Sequence, residues 1–334
     1  MFSYRMNFDP CFYTFTRYDI RAWFTRFDTK KLSPILAQYS DSTFHHFHNE
    51  GNENIITQFV PFCQQQSTRQ KGIIMNKFDR DLAIVNEILS IPADTLTHDD
   101  RMELLKIYHV AYHDSGKIED VYSLDSSAHH CEFCNHMRKA GEHDSAIICN
   151  LCYDIAQENR WKNVLNRHGL NLRIMSSVLF EKDELATLNV GHDSIVRGNS
   201  SGDIENTTHA RNYLRIFDTH PDTNCALWSK NVPAVHEAVE LEGKPSNTIL
   251  VQSSPRIGVP VTKAEYFDYV FTVYATLEAL LEAVRNGDNE CNGAKCMACG
   301  FKCYKGTHEG SSNICEYLRC TDAQRRALIE HGCR

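Results

Sequence analysis

Three scarcities narrow the field before any motif is read. The sequence has no basic excess: 35 Lys and Arg stand against 43 Asp and Glu, a formal charge of −8. A general phosphate-gripping surface is therefore missing, and nucleic acid would have to be held by local patches. Long apolar runs are also missing. Stretches such as 270–275 fall far short of the ~18 residues needed to span a bilayer, and the first residues lack a basic segment leading into an apolar one. That pattern points to a cytoplasmic chain with no membrane partner. Gly and Pro are sparse, 16 and 9 of 334 residues, which excludes collagen-like, mucin-like and wholly disordered classes.

What the sequence does have is cysteine, 14 in all. In a reducing compartment clustered thiols are metal ligands more often than disulfides. The first cluster is Cys131-x2-Cys134, 14 residues, then Cys149-x2-Cys152. Paired knuckles of this kind present four thiolates from two tight turns, the donor set of a closed tetrahedral zinc site; His129, His130, His136 and His143 lie close by as substitutes. The second cluster, Cys291-x4-Cys296-x2-Cys299-x3-Cys303, with Cys315, Cys320 and Cys333 behind it, lets one loop wrap an iron–sulfur cluster, with zinc as competitor. A stretch so poor in apolar residues needs a metal in place of a core. Two separate metal sites are expected.

The chain divides into four parts. Residues 1–74 are aromatic-rich without regular periodicity and include His45, His46 and His48. Lys71-Gly72 can be encoded by a purine run of ribosome-binding type, and only Ile73 and Ile74 separate it from Met75. The segment is therefore expected to be a translated leader, the alternative being an irregular extension packed on the body. Residues 75–130 read as a helical cap: one helix opens at Asp79 and stops before Pro92, and a second starts at the capping box Thr97/Asp100 and runs to about His113. His109 and His113 would then share a helix face, more as packing than as a metal pair. Residues 131–286 read as the α/β body, and 287–334 as a Cys-rich, metal-stabilised module.

In the body a helix is expected over 153–167, stopped at Gly169, then a short strand over 172–175. Strands follow at 195–197, 225–229, 248–252 and 269–274, with helices at 207–218, 232–241 and 277–285. Alternation at this spacing predicts a parallel sheet of strand–helix repeats, open or a partial barrel. Function in such folds gathers at the carboxyl ends of the strands, where Ser201-Gly202-Asp203, Ser229-Lys230-Asn231 and Ser253-Ser254 fall. The Ser201–Asp203 turn would let a ligand approach the backbone, with Asp203 holding an amine or metal, or would merely cap the next helix. Lys230 is an anion-binding lysine or an ordinary charge at a sheet edge.

Several of these segments together resemble the phage gene product 88 family: Ile148-Cys149-Asn150-Leu151-Cys152-Tyr153, Val196-Arg197 leading to Ser201-Gly202-Asp203, Tyr213-Leu214, Ser229-Lys230-Asn231, Pro245-Ser246-Asn247 and Cys296-x2-Cys299-x3-Cys303-Tyr304. The resemblance covers roughly 131–319 and implies a phage or mobile-element setting. The order of motifs is also similar, more distantly, to radical S-adenosylmethionine enzymes with an auxiliary iron–sulfur domain. That similarity implies Cys149 and Cys152 as the last two ligands of a CxxxCxxC motif and Asp203 as holder of the cofactor's amine. Ser145 stands where the first cysteine would be, so Cys131 or Cys134 must replace it or the site is closed. Two functions are thus expected: a radical S-adenosylmethionine-like enzyme acting on a small molecule or nucleotide, or a non-catalytic zinc-stabilised protein binding nucleic acid or a host protein.

Overall fold

The computed structural model describes residues 75–333 except Asn292 and Ala294. The expectations placed on 1–74, a leader or extension and the His45, His46, His48 knot, lie outside the described residues. Helix α1 (Lys77–Ile88) starts at Asn76, whose side chain accepts the Asp79 N–H. Helix α2 (His98–Ile107) carries the full capping box: Thr97 accepts from Asp100 N–H and the Asp100 carboxylate from Thr97 N–H. It ends six residues earlier than expected. Asn171 is the reason, because its side chain takes the His109 N–H at 2.9 Å and donates to the His109 carbonyl at 2.8 Å. With both backbone groups captured the helix cannot continue, and Ala111–His113 becomes strand β1. His109 and His113 therefore do not share a helix.

The remaining elements are β2 (Val121–Leu124), α3 (Glu132–Gly141), α4 (Tyr153–Arg160), α5 (Lys162–Ser177), α6 (Lys182–Leu185), β3 (Ile195–Gly198), α7 (Thr207–Thr219), β4 (Asn224–Ser229), α8 (Val232–Glu242), β5 (Thr248–Ser253), β6 (Tyr269–Tyr274), α9 (Leu277–Arg285), β7 (Asn289–Cys291), α10 (Lys302–Lys305), β8 (Asn313–Tyr317) and α11 (Asp322–Glu330). Residues 75–130 thus contain two strands besides the two helices. The expected helix over 153–167 is broken at Trp161, and the expected strand over 172–175 is the end of α5. Six of the seven residues from His168 to Ile174 are buried, as is Met175. A helix covered on nearly all sides loses its 3.6-residue pattern and reads as an apolar run. Gly169 sits inside α5, where a Cβ would lie 3.0 Å from the His130 ring.

The sheet has eight strands in the order β1-β2-β3-β4-β5-β6-β8-β7. Only β1 is antiparallel to its neighbour; every other pair is parallel. From β2 to β6 sequence order equals spatial order, and α5, α7 and α8, which lie in the connections, pack against one face of the sheet. The sheet does not close, and the expected open architecture of parallel strand–helix repeats is the one observed.

Strand alternation divides the core. Leu124, Val196, Leu227 and Leu250 point to the helical face, where Phe180, Tyr213 and Phe217 are fully buried; each such side chain is worth about 1.5–3 kcal/mol. Val121, Ile195, Ala226, Trp228 and Val251 point to the other face and pack with Tyr304 and Ile314. The Cys-rich segment lies across this second face. Trp228 and Tyr304 have ring centroids 5.2 Å apart, Cys296 N–H donates to the Lys117 carbonyl at 2.7 Å, and Lys117 pairs with Glu316 at 2.7 Å.

Candidate functional site at the carboxyl edge of the sheet

The loops leaving β2, β3 and β4 are tied together by their own polar groups. Asp125 accepts from Ser123 Oγ at 2.6 Å, from Ser201 N–H at 3.0 Å and from Ser200 Oγ. Ser126 N–H donates to the Ser201 carbonyl at 3.1 Å, and its hydroxyl to the Asp203 carbonyl at 3.2 Å. Gly202 has φ +79°, and a Cβ there would stand 2.5 Å from the Ser126 carbonyl oxygen. The close approach that makes glycine necessary is thus to the β2 loop.

Asp203 neither caps a helix nor meets solvent. Asn206 caps α7, accepting from His209 N–H. Asp203 is 3% exposed; its Oδ1 accepts from Ser229 Oγ at 2.6 Å and Ile204 N–H at 2.8 Å, its Oδ2 from Lys230 N–H at 3.1 Å. The Lys230 ammonium lies 3.7 Å away. Burial alone would lower the pKa of that ammonium, but Asp203 and then the thiols of Cys149, Cys134 and Cys152 outweigh it and hold it raised. Asp203 therefore fastens the β3 loop to the end of β4, and Lys230 turns toward the first cysteine group.

That group hangs on the long loop after β2. Cys131 is the N-cap of α3, and its sulfur accepts Cys134 N–H at 3.2 Å. Cys149 lies in the 3-10 turn Ile148–Leu151, and Cys152 precedes α4. Glu158 holds the near end of the loop, accepting from Ser127 Oγ at 3.2 Å, Ala128 N–H at 3.2 Å and His129 N–H at 2.9 Å, with His168 Nδ1 at 3.2 Å. The far end is pinned to the loop after β5, where Ile148 N–H donates to the Pro255 carbonyl at 2.9 Å and Ile257 N–H to the Ala146 carbonyl at 2.8 Å.

Cys134 acts electrostatically on Cys149 after burial and Lys230, and the Cys149 thiol is pushed up. Burial, then Asp154, pushes Cys152 up to about 11. A cation bound here would reverse both shifts. Cys149 and Cys152 line an open cleft of about 630 Å³ with Asn135, Arg138, Lys139 and Glu142. Ser201, Gly202, Asp203 and Lys230 do not line that cleft.

The second group is gathered over the other face. Burial pushes the Cys303 thiol up to about 12, with Cys291, Cys296 and Cys299 adding to it. Its sulfur lies 3.2 Å from His308 Nε2, a donor that the sequence reading passed over although it follows Cys303 by five residues. Cys315 is buried in β8, and Cys320 and Cys333 belong to a small apolar cluster with Leu318 and Leu328. Among the described residues no three His, Cys, Asp or Glu side chains are gathered as the donor set of a metal ion.

A further set of buried polar atoms was not legible in the sequence. Arg197 Nε, Asn199 Oδ1, Ser201 Oγ, Asp154 Oδ1 and Tyr304 OH are buried without a hydrogen-bond partner. All belong to the end of β3 or to the groups facing it. Burial raises the Asp154 carboxyl to about 6, against the Gly202 N–H that steadies its charged form. These atoms become visible only once folding seals them from water.

Comparison with known families places the chain: the model of the family described as gene product 88 matches residues 103–327. The chain belongs to the gene product 88 family. No curated protein and no solved structure matches it. The match takes in both cysteine groups, Asp203 and Lys230 of this gene product 88 chain, and no described helix is long and apolar enough to cross a membrane.

Proposed function

We propose that this member of the gene product 88 family is a metalloprotein with two cysteine-held centres, one from Cys131, Cys134, Cys149 and Cys152 and one from Cys291, Cys296, Cys299 and Cys303. The observation that carries this reading is the approach of the two CxxC turns: Asn150, between Cys149 and Cys152, donates to the Gly141 carbonyl at the end of the helix that Cys131 caps, at 2.6 Å, and Cys149 and Cys152 line one cleft with Asn135 and Arg138 of that helix. Four soft donors from two turns suit zinc or an iron–sulfur cluster in chemistry. Their arrangement here is open, so closing the set draws on metal-binding energy, as in small domains whose folding is completed by the ion. X-ray absorption on the anaerobically purified protein tests it. A sulfur shell at ~2.3 Å at the zinc or iron edge is the expected result, and a shell of oxygen and nitrogen alone contradicts it.

In the reading that the geometry supports best, the centres stabilise the loops on both sides of the sheet, and the partner is nucleic acid or a host protein. The engagement of Asp203 by Ser229, Ile204 and Lys230 favours it, because that carboxylate is already spent on the fold. A radical S-adenosylmethionine-like enzyme is the second reading, favoured by the uninterrupted strand order and by the orphaned polar atoms at the end of β3. Calorimetry with S-adenosylmethionine separates them. The first reading expects no binding, or binding unchanged in Asp203→Asn; binding that is lost in that variant supports the second.

A further inference from the structure

Arg197 projects from the middle of β3 onto the face crossed by the Cys-rich segment. Its guanidinium carbon stands 4.4 Å from the centre of the Trp228 ring. Among the described residues it makes no ion pair, its Nε is sealed from water without a partner, and no hydrogen bond engages its terminal nitrogens. The Tyr304 hydroxyl is likewise buried without a partner of normal geometry, and Tyr304 packs on the same Trp228 ring. Tyr304, Tyr153 and Cys296 are the groups facing the guanidinium; none brings a carboxylate to it, and its one polar contact is a loose approach of the Tyr304 oxygen that falls short of normal hydrogen-bond geometry.

A guanidinium held this way is costly to the fold. Carboxylates are within the chain's means at this end of the sheet, since Asp125, Asp154 and Asp203 all lie there, yet each is turned to other donors. Stacking on an indole fixes the plane of the fork and leaves its edge for an acceptor. The phenol of Tyr304 offers a second donor beside it. Two neighbouring donors with fixed directions, one cationic, match an oxyanion that takes a forked pair of hydrogen bonds.

We propose that Arg197, stacked on Trp228 and flanked by Tyr304, is the seat of a small-molecule oxyanion, a carboxylate or a phosphate group. This site is distinct from the Ser201–Asp203 turn and from Lys230, and it stands whether or not either cysteine group binds metal. An anion there would give Nε and the Tyr304 hydroxyl the partners they lack and would bring the rest of the ligand toward the end of β3, where Asn199 Oδ1 and Ser201 Oγ are also unpartnered.

The test uses the full chain with inorganic phosphate and acetate as separate probes, followed by calorimetry and by Trp228 fluorescence, with Trp228→Phe assigning the signal. Saturable binding of at least one probe is expected, the tighter one naming the anion class. Binding should weaken at least tenfold in Arg197→Met and severalfold in Tyr304→Phe, which keeps the ring and removes only the hydroxyl. The melting temperature of Arg197→Met should stay level or rise, because a half-buried cation without an ion pair is removed. A merely structural stacking residue gives the opposite: neither probe binds, or binds equally to wild type and Tyr304→Phe, and Arg197→Met melts lower. Either result overturns the proposal.

Discussion

At the scale of single residues, His209 gives the clearest pH signature. It is fully buried on α7, with Nδ1 accepting the Glu205 N–H at 3.2 Å, the ring edge-on to Tyr213 at 4.5 Å and Nε2 unpartnered. Burial lowers its pKa to about 3, so the folded protein keeps the ring neutral while the unfolded chain protonates it below about 6.5. The folded-state value is depressed, so the stability it contributes is present above pH 6.5 and is lost as pH falls toward 3. Between pH 6.5 and 5 the loss is about 1.6 kcal/mol. Urea unfolding across that range should show it, and His209→Leu should flatten that part of the slope; an unchanged slope refutes the assignment. Gly202→Ala is expected to cost on the order of 3 kcal/mol, from a left-handed backbone plus contact with the Ser126 carbonyl. A loss under 1 kcal/mol in denaturant unfolding would show that the two loops are not locked together.

Among the elements, the strands and helices from 195 to 285 were legible because each is bounded by turn residues and buries one alternating or one helical face. β3 to β6 and α7 to α9 all appear within about two residues of their expected bounds. The failures have local causes. α2 is cut short by Asn171, a residue 62 positions beyond His109. The end of α5 is buried on nearly all sides and loses its period. β1 and β7 have three residues each, too few to show alternation, and β8 lies in the Cys-rich segment, where no strand was expected. The candidate site divides the same way. Spacing pointed to the two cysteine groups, but the roles of Glu158 and Arg197 depend on tertiary neighbours. Glu158→Ala removes the acceptor for three β2-loop donors and His168, and should cost about 3 kcal/mol. Glu158→Gln, which keeps a carbonyl acceptor, should cost less in the same unfolding assay; equal costs would mean that charge, not acceptor geometry, holds the loop.

For the whole molecule, the open parallel sheet has two differently dressed faces. The helical face carries most of the apolar core, whereas the other is covered in part by a Cys-rich segment whose own apolar content is small. Phe301, Tyr304 and the half-buried Cys296 and Cys303 supply what packing there is against Trp228 and Ile249. Under the proposed function such a cover should depend on the metal centre proposed for it, and the loop above the carboxyl edge on the other proposed centre, while the helical face should not. The most direct measurement of this account is the zinc, iron and acid-labile sulfide content per chain of the anaerobically purified full protein, compared with Cys149→Ser/Cys152→Ser and Cys296→Ser/Cys303→Ser. The account predicts two centres in the wild-type protein and the loss of one, independently, in each double variant. A folded wild-type protein that carries no metal and whose clustered cysteines all react with a thiol reagent would contradict it.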